Sequence, residues 1–189
     1  MVIGYHVILS CYGFWLPNDP RGSWSDFVGK WELYKFGGAA TKTDSRKSVA
    51  GVSRDATARL KAKTLLKDPP LRLTGKQAIA VAHGFDAAVR ESGMAIFSCA
   101  ILPEHVHLVI GKHEYPVERV AAELKARANK RMRSECGWPV GRPMWANGFW
   151  KVFLNNPEGM IRAIKYVNAN PIKEGNKLQH WDFVTAYNV

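Results

Sequence analysis

At 189 residues, with 47% hydrophobic and 23% charged side chains, the sequence is long enough for one domain with a real core and short for two. A count of 27 Lys and Arg against 16 Asp and Glu gives a net charge of +11, which points to a polyanion partner, nucleic acid being the commonest. No apolar run approaches the roughly 18–20 residues of a membrane span, and three scattered cysteines (Cys11, Cys99, Cys136) with no CxxC pair argue against a disulfide framework or a cysteine zinc site and for a reducing compartment.

Val2–Tyr12, VIGYHVILSCY, is rich in β-branched and aromatic side chains and predicts a first strand; with no basic residue ahead of it, it does not read as a secretion signal. GFWLPNDPRGSW follows, dense in turn formers, and predicts a loop. From Ser25 to Leu73 the periodicity is weak, apart from a helix expected from Ser53, as its cap, to about Leu66, stopped by Asp68-Pro69-Pro70. Arg21 to Lys76 holds 13 Lys/Arg against 5 Asp/Glu, so 8 of the net positive charges lie there. This stretch reads as a basic insertion at about 21–73 within a single domain spanning 1–189.

Thr74-Gly-Lys-Gln77 is a capping-box pattern and opens a helix whose apolar positions are Ile79, Val81, Ala82, Phe85 and Val89, ended by Gly93. AIFSCAIL and HVHLVI predict two strands joined by a tight turn at Pro103-Glu104. Pro116 opens a further helix, with a stripe of Val117, Val120, Leu124, Ala128 and Met132, closed by Gly137. GFWKVFLN predicts a strand, and Asn156-Pro157-Glu158 starts a last helix running to about Asn170, before Pro171. The order β-α-β-β-α-β plus one helix predicts an α/β (α+β) ferredoxin-like split βαβ domain, an antiparallel sheet with helices on it.

Two local features carry chemistry. In Glu104-His105-Val106-His107-Leu108, alternation on a strand puts both imidazoles on one face, about 6–7 Å apart by the rise per residue, which suits a shared divalent metal. A pair of hydrogen-bonded histidines at a sheet edge would read the same way. On the last helix Arg162, Tyr166 and Asn170 form a row one turn apart, just outside the arc of Met160, Ile161, Ala163, Ile164 and Val167. A half-buried tyrosine and an Asn-Pro helix stop are the packing alternative.

Together these features resemble the single-tyrosine HUH transposases, and especially the REP-associated tyrosine transposases. The resemblance covers most of the chain: YHVILSCYGFWLPNDPRGSW, ILPEHVHLVI, the basic helix ELKARANKRM, MWANGFWKVFL and AIKYVNANPIKEG. It implies that His105 and His107 are metal ligands, that Asn170 is the third ligand through its side-chain oxygen, and that Tyr166 is the nucleophile. The last helix would then carry the nucleophile. The implied activity is cleavage of single-stranded DNA through a 5′-phosphotyrosine link, leaving a free 3′-hydroxyl, followed by strand transfer or rejoining. The implied cofactor is Mg2+ or Mn2+; by ligand type alone, two imidazoles and an amide suit zinc, nickel or manganese better than magnesium, so manganese is preferred. The implied partner is single-stranded or hairpin DNA, with the protein cytoplasmic and nucleoid-associated, a monomer or homodimer, and no membrane.

An HUH replication initiator or relaxase shares the histidine pair and the tyrosine, and a non-catalytic, domesticated nucleic-acid-binding protein could share the fold. The sequence departs from the family at Glu104, where Asn usually precedes the histidines, which puts a carboxylate near the metal, and in the length of the basic stretch. Nothing in it indicates how Tyr166 is activated; Arg162 is a candidate to stabilise phenolate or phosphate.

Further candidates for DNA are cationic or aromatic. Lys125, Arg127, Lys130, Arg131 and Arg133 flank the apolar stripe of their helix and are candidates for phosphate. Phe14, Trp15, Trp24 and Trp31, interleaved with Arg21 and Lys30, are candidates to stack unpaired bases, and Lys42, Arg46 and Lys47 to contact DNA. Trp145, Phe149 and Trp150 read as packing. His6, His83, His113 and His180 show no partner pattern and receive no role.

Overall fold

A computed structural model describes residues 1–19, 23, 25–42 and 56–188. Arg21, Trp24, Arg46, Lys47 and the expected cap Ser53 lie outside them. The described chain groups into two compact units, one formed by Met1–Cys11 with Arg72–Val189 and the other by Tyr12–Leu71.

The first unit holds the sheet. Its strands are β1 (Gly4–Ser10), β2 (Ile96–Ile101), β3 (His105–Gly111) and β4 (Trp150–Leu154), hydrogen-bonded in the order β2-β3-β1-β4 with every neighbouring pair antiparallel. The helix that leads from β1 to β2 makes these two strands parallel with β3 between them, which is the split βαβ arrangement.

Register sorts the two faces. His6 lies opposite Val109 and Val152, His107 opposite Ile8 and Ala100, and His105 opposite Ser10, so all of these side chains point to one side. Val7, Leu9, Val106, Leu108 and Ile110 point to the other side and are almost fully buried.

The side away from the histidines is covered by two long helices. Their labels follow chain order after α1 (Trp31–Gly37) and α2 (Ala56–Thr64) of the second unit: α3 (Gly75–Ser92) and α4 (Val117–Cys136). The capping box of α3 is present: Gln77 N–H donates to Thr74 Oγ1, and Thr74 N–H to Gln77 Oε1 at 3.0 Å. Gly93 and Gly137 close α3 and α4 in the left-handed conformation, at φ 68° and 63°. The buried stripe of α4 is the expected one.

That of α3 is rotated. Ile79 stays half-exposed, and the buried face is Ala80, Val81, Ala82, Gly84, Phe85 and Ala88. The cause is a close crossing, since a Cβ on Gly84 would come within 2.5 Å of the Ala128 backbone. Small residues let α3 and α4 touch, and the larger Ile79 is turned out.

Helix α5 (Pro157–Lys173) lies on the histidine side of the sheet, with Met160 and Val167 fully buried against Ala100, Val109 and Leu154. Its N-cap is Asn156, which accepts from Gly159 N–H at 2.8 Å. Met160 packs closely over Gly4 of β1, where a Cβ would lie 2.6 Å from Met160 Sδ and 2.8 Å from the Ile110 carbonyl oxygen. The helix does not stop before Pro171. It runs three residues further, to Lys173, with Pro171 buried inside it, and its end is closed by Glu174 N–H to Asn170 O and Gly175 N–H to Ile172 O. Proline removes a donor near the end of a helix, where few further bonds depend on it.

The second unit contains α1, which was not expected, and α2, whose described residues end at Thr64, two residues before the expected end. α1 has two turns, no side-chain cap and one buried residue, Leu33, so it leaves no periodic mark in the sequence. Leu33 packs with Leu16 and Ala62, bordered by Val28, Leu65 and Leu66. Asn18 is buried and donates to Leu33 O at 2.7 Å, and Arg59 Nη2 donates to Phe14 O at 2.7 Å.

Candidate active site

β1 and β3 are the two inner strands of the sheet, and each carries histidine toward α5. The rings of His105 and His107 are 4.8 Å apart at 74°. His107 is also stacked on His6, at 5.3 Å and 22°, with His6 Nε2 3.0 Å from His107 Nδ1. Tyr166 of α5 stands edge-on to both, 5.8 Å from the His107 ring and 5.7 Å from the His6 ring. Trp150 of β4 closes the group from beyond His6, at 5.5 Å and 85°. Residues far apart in the chain thus meet at one spot, and Tyr166 keeps 44% of its surface open to solvent.

Burial sets the charge of the histidines. It lowers the pKa of His6 to about 4, and that of His105 to about 4 against the opposing pull of Glu104. His107 is held well below the usual histidine range, by burial first and then by His105 and His6. All three imidazoles are therefore neutral at pH 7, the form in which imidazole ligates metal.

Asn170, one turn beyond Tyr166, is 7% exposed, and its side-chain nitrogen has no hydrogen-bond partner among the described residues. A half-turn of a carboxamide exchanges its nitrogen and oxygen, so this is a buried polar end without a partner. Two neutral imidazoles and such an amide fit a divalent cation by donor type. Among the described residues no group of three or more His, Cys, Asp and Glu side chains is arranged to hold a metal ion, and the His105, His107 and Asn170 set has a different composition.

The sequence reading missed four neighbours. His6 and Trp150 are ring partners within the cluster. Lys173 places its ammonium 4.9 Å from the centre of the Tyr166 ring, two turns along α5. Glu174, at the C-cap of α5 and one turn past Asn170, has its carboxyl pKa raised by burial and by Glu104, with Arg72 acting in the opposite direction. Helical spacing was a usable signal for Lys173, two turns from Tyr166, and for Glu174, one turn from Asn170. Glu104 itself pairs with Arg72 at 3.7 Å. Arg162 is exposed on α5.

The cations of α4 are less available than their spacing suggested. Lys125 is partly buried and donates to Ala146 O at 3.0 Å and to Gly148 O, holding the segment ahead of β4; burial lowers its pKa to about 8. Arg127 is paired with Glu123 and Glu91, and Arg131 with Glu135 at 3.4 Å. Lys130 and Arg133 line an open groove of about 680 Å³ together with Ala126, Asn129 and Ser134. This groove belongs to the helix layer opposite the histidines, so it is no part of the cluster.

In the second unit Phe14 lies under Arg59 and Lys63, at 5.6 and 5.7 Å from its ring centre, and edge-on to Trp15. Trp31 is 65% exposed and stacked on Tyr34 at 5.3 Å and 8°, with Lys35 over its ring. Lys42 pairs with Asp26.

In overall structure the chain is similar to a REP-associated tyrosine transposase solved bound to a REP hairpin, at 14% identity and a TM-score of 0.48, over 92% of this chain and 68% of that one. It is also similar to a protein from Deinococcus radiodurans R1 described as a candidate transposase, at 11% identity and a TM-score of 0.43, over 93% of this chain and 92% of that one. No family profile and no curated protein sequence matches the chain. Among the described residues no helix is long and apolar enough to cross a membrane.

Proposed function

We propose that this protein is a metal-dependent DNA transposase that cuts single-stranded DNA with Tyr166 and transfers or rejoins the strands. The observation that carries the reading is the contact of the Tyr166 ring with His107, whose own neighbour on β3 is His105. The net charge of +11 supports a nucleic-acid substrate, and hairpin-bearing single strands are the form the sequence resemblance implies.

In this reading Tyr166 Oη attacks a backbone phosphorus and loses its proton. The bond from phosphorus to the 3′ oxygen breaks, and that oxygen leaves with the electron pair and takes up a proton as a 3′-hydroxyl. One phosphate ester replaces another, so a later attack by a 3′-hydroxyl on the 5′-phosphotyrosine rejoins DNA without ATP. His105, His107 and Asn170 are the residues that would hold Mg2+ or Mn2+, which when bound neutralises phosphate oxygens and orients the scissile ester. A phenol ordinarily keeps its proton at neutral pH, and Lys173 offers a positive charge beside this ring as the oxygen becomes anionic. The half-open position of Tyr166 leaves room for a DNA backbone to approach.

Labelled hairpin-bearing single strands incubated with the protein and Mn2+ should give a covalent protein–DNA band that EDTA prevents and Tyr166→Phe abolishes. If the band survives in Tyr166→Phe, the nucleophile is elsewhere. Tyr187 is the next tyrosine to test; its ring is partly buried, packed on Phe97 at 5.1 Å. If wild-type protein binds the DNA and never forms the band, the chain is a binding module.

A further inference from the structure

His6 is 8% exposed in the middle of an inner strand, and one ring touches three other elements. It stacks on His107 of β3, meets Trp150 of β4 at 5.5 Å and Tyr166 of α5 at 5.7 Å. A buried histidine kept for packing alone would need no nitrogen aimed at a second imidazole. Here His6 Nε2 and His107 Nδ1 face each other at 3.0 Å, a distance that requires one proton between them.

That proton has two places to sit. If His6 Nε2–H donates, neutral His107 accepts at Nδ1 and carries its own proton on Nε2, which leaves it no lone pair for a cation. If His107 Nδ1–H donates, His6 Nε2 accepts and His107 Nε2 is a free lone pair. The nitrogen of His107 turned toward His6 cannot itself reach a metal, so only the second arrangement makes His107 a ligand.

We propose that His6 is a positioning residue of the metal site: it accepts the hydrogen bond from His107 Nδ1–H and so fixes the ring orientation and tautomer that present His107 Nε2 to a divalent cation. This rests on reading His105 and His107 as the metal pair. Metal-binding imidazoles commonly donate their second N–H to a carboxylate or a carbonyl. An imidazole in that role orients the ligand without adding negative charge, and through Tyr166 it keeps the nucleophile ring in register with the ligand ring.

Long-range proton–nitrogen spectra of the metal-free wild-type protein test the tautomer without any variant. His107 should appear with Nδ1 protonated and Nε2 bare; the reverse assignment overturns the proposal. Mn2+ titration of His6→Phe and His6→Gln then tests the consequence. His6→Phe keeps a stacked ring without an acceptor and should bind Mn2+ about 10–100-fold more weakly, the usual effect of losing such a partner. His6→Gln supplies an acceptor oxygen and should recover most of that loss and keep the wild-type His107 tautomer.

Equal and near-complete loss of Mn2+ binding in both variants would make His6 a ligand itself and overturn the positioning role. Unchanged affinity in His6→Phe, while His105→Ala and His107→Ala abolish binding, would refute the proposal and leave the metal pair standing. Unchanged affinity in His105→Ala and His107→Ala would refute the metal pair and the proposal with it.

Discussion

Gly84→Ala is a substitution whose sign the structure decides. Within an 18-residue helix, alanine in place of glycine should stabilise by about 1 kcal/mol through backbone entropy. At Gly84 the added methyl would sit 2.5 Å from the Cα and N of Ala128 and 2.7 Å from the Arg127 carbonyl carbon. These are backbone atoms of a 20-residue helix, so no rotamer change relieves the overlap. Carbon atoms rest at about 3.5–4 Å, so α3 and α4 must part locally by roughly 1 Å, which forfeits up to half the dispersion between facing atoms. Those atoms belong to Ala80, Ala88, Ala121, Leu124 and Ala128, all essentially fully buried. Overpacking of this kind runs to roughly 3 kcal/mol, and subtracting the helix gain leaves a net loss of about 2 kcal/mol. For a protein of this size that lowers Tm by roughly 4–8 °C. Gly75→Ala is the control: it lies in the same helix with nothing within 4 Å of the added carbon, and should be neutral or slightly stabilising. Scanning calorimetry of both variants decides. Equal or higher Tm for Gly84→Ala would mean that the two helices are not in contact at this crossing.

Val106 lies between the two histidines and is fully buried on the other face. Val106→Ala should lower stability by roughly 1–3 kcal/mol in urea titration and leave Mn2+ affinity unchanged, whereas His105→Ala and His107→Ala should abolish metal binding and cleavage; the opposite pattern would mean that the strand faces the other way. Stability should also fall in acid. The folded pKa values of His6 and His105 sit near 4 against about 6.5 unfolded, so the unfolded chain takes up protons first. Their contribution is complete above pH 6.5 and is lost as pH falls toward 4, by up to about 1.4 kcal/mol per unit for each histidine. Thermal melts between pH 7.5 and 4.5 that show no slope would contradict buried neutral rings. Lys130 and Arg133 carry no charge partner among the described residues, so Lys130→Ala with Arg133→Ala should reduce the salt slope of DNA binding by about 0.7 for each single-strand phosphate lost; anisotropy titrations across salt that give the wild-type slope would remove the α4 groove from the DNA path.

Local signals were legible in the sequence. The Thr74–Gln77 capping box, the glycines after α3 and α4, and the Asn156-Pro157-Glu158 start of α5 each act within a few residues and each appears where expected. The sharing of one face by His105 and His107 follows from strand alternation alone. What stayed hidden depends on contacts between distant segments. His6 looks like any histidine in an apolar strand until β1 is laid beside β3 in a register that puts it diagonal to His107. Lys125 looks solvated until the loop before β4 offers it two carbonyls. The rotation of α3 depends on which residue of α4 faces Gly84, and the extension of α5 through Pro171 on the burial of that ring. α1, with one buried leucine in two turns, had too little to announce.

The chain leaves the sheet after Cys11 and returns at Arg72, and the intervening unit holds its own ends together, with Leu71 N–H donating to Tyr12 O at 2.9 Å. Folded, those 60 residues act on the sheet as a short loop; unfolded, they become a long tether between β1 and α3. Loop-closure entropy grows by about 0.6 kcal/mol for each doubling of length, so melting Tyr12–Leu71 alone would weaken the sheet by about 2 kcal/mol. The two units are thus coupled in stability through chain connectivity, with no side chain needed to carry the message. Any ligand that orders the second unit tightens the fold of the first.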